Sequence, residues 1–377
     1  MPHAQVLSFQ QCLEIVEDPR VTGRCDHPLD TILFLVVSAV IAGADGPSEI
    51  EDFGKEKHDW LARFVELPAG VPSHDTIGRV LALIDPGPFQ QALLDWLTQL
   101  RGQTRDDGPV LVPMDGKTVR GSATSPGKTN ALHVVSAWAS EHGLTLGQVA
   151  VDEKSNEITA IPKLLEMLDL RDTLISLDAM GCQKAIARQI IDGGGDYTFA
   201  VKGSQPTLYE AIEDAFVEAH LGGLMERGFR SRSQKEQGHG RLVERHYAVG
   251  PLPEKLKKLL SAWPGAKSIG QVITYTTQGE AFTDEVRYYL SSRPPKVSEF
   301  QRSVRQHWGI ESMHWVLDVV FGEDGSRIRT GNAAENMSFV RRFVTSLLKQ
   351  ETSRSSLKAK RKRAGWNTDF LEKLLFG

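Results

Sequence analysis

Apolar positions along the chain follow two different spacings. Over residues 1–105 they recur at helical spacing. Residues 29–42 are apolar on nearly every side, which predicts a central buried helix. Residues 48–65 form an amphipathic pattern with Ile50, Phe53, Trp60, Leu61 and Phe64 inward, Ser73 is placed to cap a further helix, and residues 89–100 make the last of the group. A plain helical bundle and a helix-turn-helix reader both fit, and the many acids of this stretch (Glu49, Glu51, Asp52, Glu56, Asp59) favour the bundle. The segment TRDDGP, 104–109, is a polar break and marks a domain boundary.

Beyond it the period changes to that of strands. Residues 109–116, 130–140 and 144–155 read as three antiparallel strands, with the first ending at Asp115. A helix over 159–170 with Pro162 in its first turn, a buried strand ending at Asp178, a helix closed by Gly193–Gly195 and a strand over 196–203 follow. The order is β-β-β-α-β-α-β: three antiparallel strands extended by two more through helical crossovers. A helix over 208–219 and a charged, β-rich interval lead to two further helices, over 298–319 and 333–349. The last of the chain reads as a basic tail, since residues 354–363 carry six basic side chains and no acid.

Composition narrows this only a little. A formal net charge of −4 argues against a chain that is basic throughout, although it leaves room for local basic patches. Cys12, Cys25 and Cys182 form no C-x-x-C pair, which disfavours a structural zinc site and fits a reducing compartment. The N-terminus lacks the pattern of a signal peptide, and the apolar run at 29–43 is too short to span a bilayer. A soluble cytoplasmic protein without membrane partners is the expectation.

The candidate chemistry lies in carboxylates. In HWGIESMHWVLDVVFGED (307–324), His307, Glu311, His314 and Asp318 share one stripe of a helix, beside the apolar Trp308, Ile310, Trp315 and Val316. Asp115 and Asp178 terminate the first and fourth predicted strands, and such ends are neighbours when those strands lie side by side. Glu311, or in second place Asp318, would close over them. Three converging carboxylates are hard oxygen ligands suited to Mg2+ or Mn2+. Two such ions about 4 Å apart serve phosphoryl transfer by activating the attacking oxygen and stabilising the leaving one. Taken singly, an Asp at a strand end is also an ordinary turn former or helix cap. Lys117, Arg120 and Lys202 are positive charges near these acids, fit for phosphates or for a solvated surface. Trp138 and Trp263 could stack on an unpaired base or fill the core. A His307–Glu311–His314 metal site is a further alternative.

The segments DGKTVRGS, LDAMGCQKAIA, DYTFAVKGSQ and HWGIESMHWVLDVVFGEDGSRIR resemble the bacterial insertion-sequence transposases of the DDE class, in the H-repeat-associated branch. HPLDTILFLVVSAVIAGADGPSEIEDFG and PSHDTIGRV resemble the accessory domain that precedes the core in that branch, so the resemblance spans about residues 10–350. It implies an α/β fold with an RNase H-like core, a β-rich insertion and an all-α N-terminal domain. Together with the boundary and tail read above, this gives the expected divisions 1–105 (accessory domain), 106–204 (first part of the core), 205–295 (insertion), 296–350 (Glu-bearing and C-terminal helices) and 351–377 (basic tail). It implies catalysis and binding of two divalent cations by Asp115, Asp178 and Glu311. It also implies cleavage at the element's terminal inverted repeats, strand transfer into target DNA, and a homodimer on DNA. Arg305, His307, Arg327 and Arg329 then join Lys117, Arg120 and Lys202 as candidate DNA contacts. This sequence departs from related transposases, which carry Tyr and Arg before the Glu and Lys after it; here those positions hold Val304, His307 and Asp318. The alternative is a DNA-binding relic that keeps the scaffold without catalysis.

Overall fold

One mixed sheet organises the chain. The structure is a computed structural model that describes residues 8–21, 23–101, 109–123, 130–151, 156–238 and 240–377. Helices come first: α1 (Phe9–Glu14), α2 (Leu29–Ala42), α3 (Pro47–Glu56), α4 (His58–Leu61), α5 (His74–Leu83) and α6 (Pro86–Arg101). Then follow β1 (Val110–Val119), β2 (Leu132–Ala139), β3 (Leu144–Ala150), α7 (Glu157–Glu166), β4 (Thr173–Leu177), α8 (Lys184–Asp192) and β5 (Asp196–Val201). The second half contains α9 (Pro206–Leu221), β6 (Arg230–Gly238), β7 (Arg241–Pro251), α10 (Glu254–Leu260), β8 (Ser268–Gln278) and β9 (Ala281–Ser291). It ends with α11 (Val297–Phe321), α12 (Ala333–Gln350), α13 (Leu357–Trp366) and α14 (Thr368–Phe376).

The nine strands lie in the order β3-β2-β1-β4-β5-β9-β8-β7-β6. β1 pairs antiparallel with β2 and parallel with β4, and β4 pairs parallel with β5. The β-β-β-α-β-α-β order read from the sequence is therefore present. The later strands are joined to it rather than set apart: β9 pairs antiparallel with β5, so β6–β9 prolong the same sheet.

Side-chain parity decides what each face of the sheet meets. Val112 and Met114 of β1 and Ile175 and Leu177 of β4 join a core with α7, α8 and α9. The alternate positions of β1 and β4 face the opposite layer, where α11 lies. There, Trp138, Ala139 and Leu144 share one core with α1–α6, α11 and α12. α2 is buried all round, as its pattern predicts, and Ser73 caps α5 by accepting from the Thr76 N–H. Among the described residues no single helix is long and apolar enough to cross a membrane.

Three expectations are corrected here. β1 does not end at Asp115 but runs on to Val119, because its second half keeps pairing with β2 after β4 has stopped. α7 begins at Glu157, capped by Asn156, which puts Pro162 in its second turn. The segment read as a basic tail is two docked helices. Arg361 is buried and donates to the carbonyls of Val40, Ala44 and Val320, and Lys360 donates to that of Leu348. These charges serve as caps on backbone acceptors rather than as a solvated run. The boundary expected at 104–109 lies almost wholly outside the described residues.

Candidate active site

The site forms where β1 loses its parallel neighbour. Pro113 is opposite Ser176 in the β1–β4 register. Two residues further along each strand come Asp115 and, just past the end of β4, Asp178, on the same face. Crevices at the carboxyl ends of parallel strands are where open α/β sheets hold their ligands. α11 crosses this face, and Asp115, Asp178 and Glu311 line one cavity of about 530 Å3 together with Lys202, His307 and Trp308.

Each carboxylate is set by its own element. Asp115 accepts from the Gly116 N–H at 2.9 Å, and its other oxygen is 3.7 Å from His314 Nδ1. Asp178 accepts from the Met180 N–H at 2.9 Å and the Gly181 N–H at 3.3 Å, the local turn that an Asp after a strand makes. Glu311 is exposed on α11. Burial, then the neighbouring Glu157, Asp178 and Glu311 charges, push the Asp115 carboxyl up to about 7, against the opposing Gly116 hydrogen bond. Burial, with help from Arg342, Lys117 and His133, pushes His314 down to about 3, so its imidazole is neutral and does not form an ion pair with Asp115. Lys202 and Arg287 line the same cavity, and among the described residues neither Asp178 nor Glu311 forms an ion pair with a side chain of this chain. Among the described residues no three His, Cys, Asp or Glu side chains stand as a ready-made metal cage, the His307–Glu311–His314 set included. The donor set is nonetheless all carboxylate oxygen and mutually repulsive, the chemistry that a hard divalent cation relieves.

The other residues singled out in the sequence divide. Lys202 is exposed at the cavity, and Arg120, Arg327 and Arg329 are exposed, with Arg329 donating to the Gly121 carbonyl. Lys117 is not a free phosphate contact: it is buried, with Nζ 2.7 Å from Asp318, 3.0 Å from Asp324 and 3.6 Å from Glu323. That contact also removes Asp318 as the third acid. His307 lies 3.0 Å from Ser176 Oγ, and burial lowers its pKa, so it offers no cation to a phosphate. Arg305 is bound to Glu236 at 2.6 Å and stacks on Trp308. Trp138 and Trp263 are core residues, 1% and 3% exposed, and are closed to a base.

Sequence reasoning missed two features. Glu157, at the head of α7, bonds His133 Nε2 at 2.8 Å against the backbone of Gly116, where a Cβ would lie 2.1 Å from its carboxylate. Nothing in its local pattern marks it, since its relation to Asp115 comes from the fold. The second feature is a guanidinium cluster on Trp308: Arg245, Arg305 and Arg287 stand 4.7, 5.4 and 6.0 Å from the ring centroid. It joins β7, β9 and α11, so no short window of sequence contains it.

Comparison with known proteins gives the same picture over the whole length. Residues 106–347 match the family described as "Transposase DDE domain", and residues 10–97 match "DDE_Tnp_1-associated". The chain is 40% identical to "Putative transposase YncI" of Escherichia coli O157:H7, over 98% of this chain and 95% of that one. It is 38% identical to "H repeat-associated putative transposase YhhI" of Escherichia coli K12, over 99% of each. A shorter match, 41% identical over 21% of this chain, is to "Inactive transposase YbfQ" of the same strain. Matches that cover most of the sequence, found beside a sheet that gathers three carboxylates, mean that the chain belongs to the DDE transposase family, in the H-repeat-associated branch.

Proposed function

We propose that this protein is an active transposase that cuts DNA at the ends of an insertion sequence and joins the freed 3′ ends to target DNA. The observation that carries the proposal is the convergence of Asp115, Asp178 and Glu311 on one cavity, with the first pushed to about 7 by burial and by its acidic neighbours. A carboxylate perturbed by burial and by named acidic neighbours in a cleft is a functional-site candidate. Two divalent cations, Mg2+ or Mn2+, held by these three side chains would activate the attacking oxygen and stabilise the leaving oxygen on phosphorus. In the first step water attacks the phosphodiester at the element boundary, leaving a 3′-hydroxyl on one side and a 5′-phosphate on the other. In the second step that 3′-hydroxyl attacks a target phosphodiester, forming one bond and releasing the target strand's 3′-hydroxyl.

The chain's own residues supply the frame. The strand order β3-β2-β1-β4-β5, with β1 antiparallel to β2 and parallel to β4, supports an RNase H-like core. In this reading 1–105 is the accessory unit and 205–295 an insertion that borders the cavity with Arg287 and Tyr288. The exposed Lys202, Arg120, Arg327 and Arg329 meet the phosphates. The DNA partners are the terminal inverted repeats and the target, held by a homodimer in the bacterial cytoplasm.

The test is a labelled duplex carrying the element's own terminal repeat, incubated with Mg2+ or Mn2+. The proposal expects nicking at the repeat boundary for the wild type and none for Asp178→Ala. Specific binding of the repeat without cleavage under either metal would replace this reading with that of a DNA-binding relic.

A further inference from the structure

The carboxylates of β1 and α11 face each other, so something must hold these two elements together against their repulsion. Lys117 follows Asp115 by two residues on the same face of β1. Asp318 follows Glu311 by seven residues, two turns along the same face of α11. The Lys117–Asp318 contact at 2.7 Å is thus a rung one step beyond the point where Asp115 meets His314 of α11 at 3.7 Å, one helical turn past Glu311. It is backed on both sides. Glu323, fully buried, lies 3.6 Å from Lys117 and 3.0 Å from the buried Arg342, and Arg342 donates to Ser136, the cross-strand partner of Asp115. Beyond Lys117, Gly121 packs against the backbone of 324–326, where a Cβ would lie 2.4 Å from the Ser326 carbonyl oxygen. The end of β1 and the end of α11 are therefore joined by charge and by direct backbone contact.

We infer that Lys117 and Asp318 are positioning residues, a latch that fixes the Glu311 helix over the Asp115 strand so that the carboxylates can share divalent metal. The inference rests on the proposed metal-dependent function. It assigns Lys117 to the protein interior rather than to a DNA phosphate. Removing its charge leaves Asp318, Glu323 and Asp324 facing one another, and α11 then loses its tie to β1 at the end nearest the site.

Lys117→Met, Asp318→Asn and Lys117→Arg separate the outcomes, each variant being taken forward only when its melt shows a cooperative fold, because Lys117 is buried and Asp318 half-buried. Binding of Mn2+ alone is measured by calorimetry without DNA, and cleavage is measured as kcat and KM for the duplex. The inference expects Lys117→Met and Asp318→Asn each to weaken Mn2+ binding by about 10–100-fold, the usual effect of losing a residue that orients metal ligands. It expects KM for DNA to stay within about two-fold, the double variant to be no worse than either single one and Lys117→Arg to keep Mn2+ binding; a phosphate contact would instead raise KM and leave Mn2+ binding without DNA unchanged. Unchanged Mn2+ binding, or a raised KM at unchanged kcat, would overturn it. Wild type that neither binds Mn2+ nor cuts DNA would instead refute the proposed function, with Asp178→Ala as the control for specific metal binding.

Discussion

Asp115 is held at a cost that can be measured without any substrate. Its carboxyl is half-buried beside Glu157, Asp178 and Glu311 and is pushed from 3.8 to about 7. A carboxyl with a raised folded pKa favours folding at low pH, and that favour is lost as pH rises. Below about pH 4 the group is protonated folded and unfolded alike. Between about 4 and 7 the unfolded chain gives up the proton while the folded one keeps it, so stability falls; above about 7 the full penalty applies. Three units correspond to about 4 kcal/mol at most, and relaxation and water entry reduce this to about 1–2 kcal/mol. Asp115→Asn removes the charge at every pH and nearly keeps the shape. In metal-free buffer the variant should match wild type near pH 4 and melt higher at pH 8. With an unfolding entropy near 0.8 kcal/mol/K for a chain of 377 residues, the gain is about 1–3 °C. Calorimetric melts at pH 4.5, 6 and 8 measure it, and adding Mn2+ at pH 8 should stabilise wild type more than the variant. A variant equal to or less stable than wild type at pH 8, or an advantage that grows on acidification, would refute the electrostatic reasoning.

Further outcomes follow from other parts of the fold. Gly116→Ala drives a Cβ into the Glu157–His133 pair and should destabilise the protein by about 1–3 kcal/mol, read by urea titration. Glu323→Gln leaves Arg342 buried without its counter-charge; the expected loss is about 3–5 kcal/mol, and a loss under 1 kcal/mol would count against the buried pair. Deletion of 351–377 removes Arg361 from the Val40 and Ala44 carbonyls and uncovers the α2 core. The truncated chain should aggregate or lose its cooperative melt, whereas a dispensable tail would leave the melt unchanged.

The core was legible in the sequence where local pattern carries the signal. Alternation, Gly-containing turns and two helical crossovers carry the β-β-β-α-β-α-β order, and an acid directly after the mostly apolar TLISL run marks Asp178. Glu311 is marked by its place in one helix stripe with His307, His314 and Asp318, beside Trp308 and Trp315. What remained hidden depends on distant partners. The extra length of β1 comes from pairing with β2, which local sequence does not encode. Lys117 looks like any lysine near an acid until Asp318 and Asp324, about 200 residues on, close over it. Arg361 and Lys360 lie in a run that reads as solvated, and only the packing of α13 against the ends of α2, α11 and α12 supplies the carbonyls that bury them. The joining of β9 to β5 was equally out of reach, since strand neighbours are a property of the assembled sheet.

The central claim is that Asp115, Asp178 and Glu311 work as one metal-dependent site on DNA. The most direct measurement compares wild type with Asp178→Ala and Glu311→Ala on a duplex bearing the terminal repeat, with Mn2+ and without. The account expects metal-dependent nicking at the repeat boundary by wild type alone, with both variants folded and still binding the duplex. Cleavage that survives Glu311→Ala, or nicking by wild type that needs no divalent metal, would contradict it.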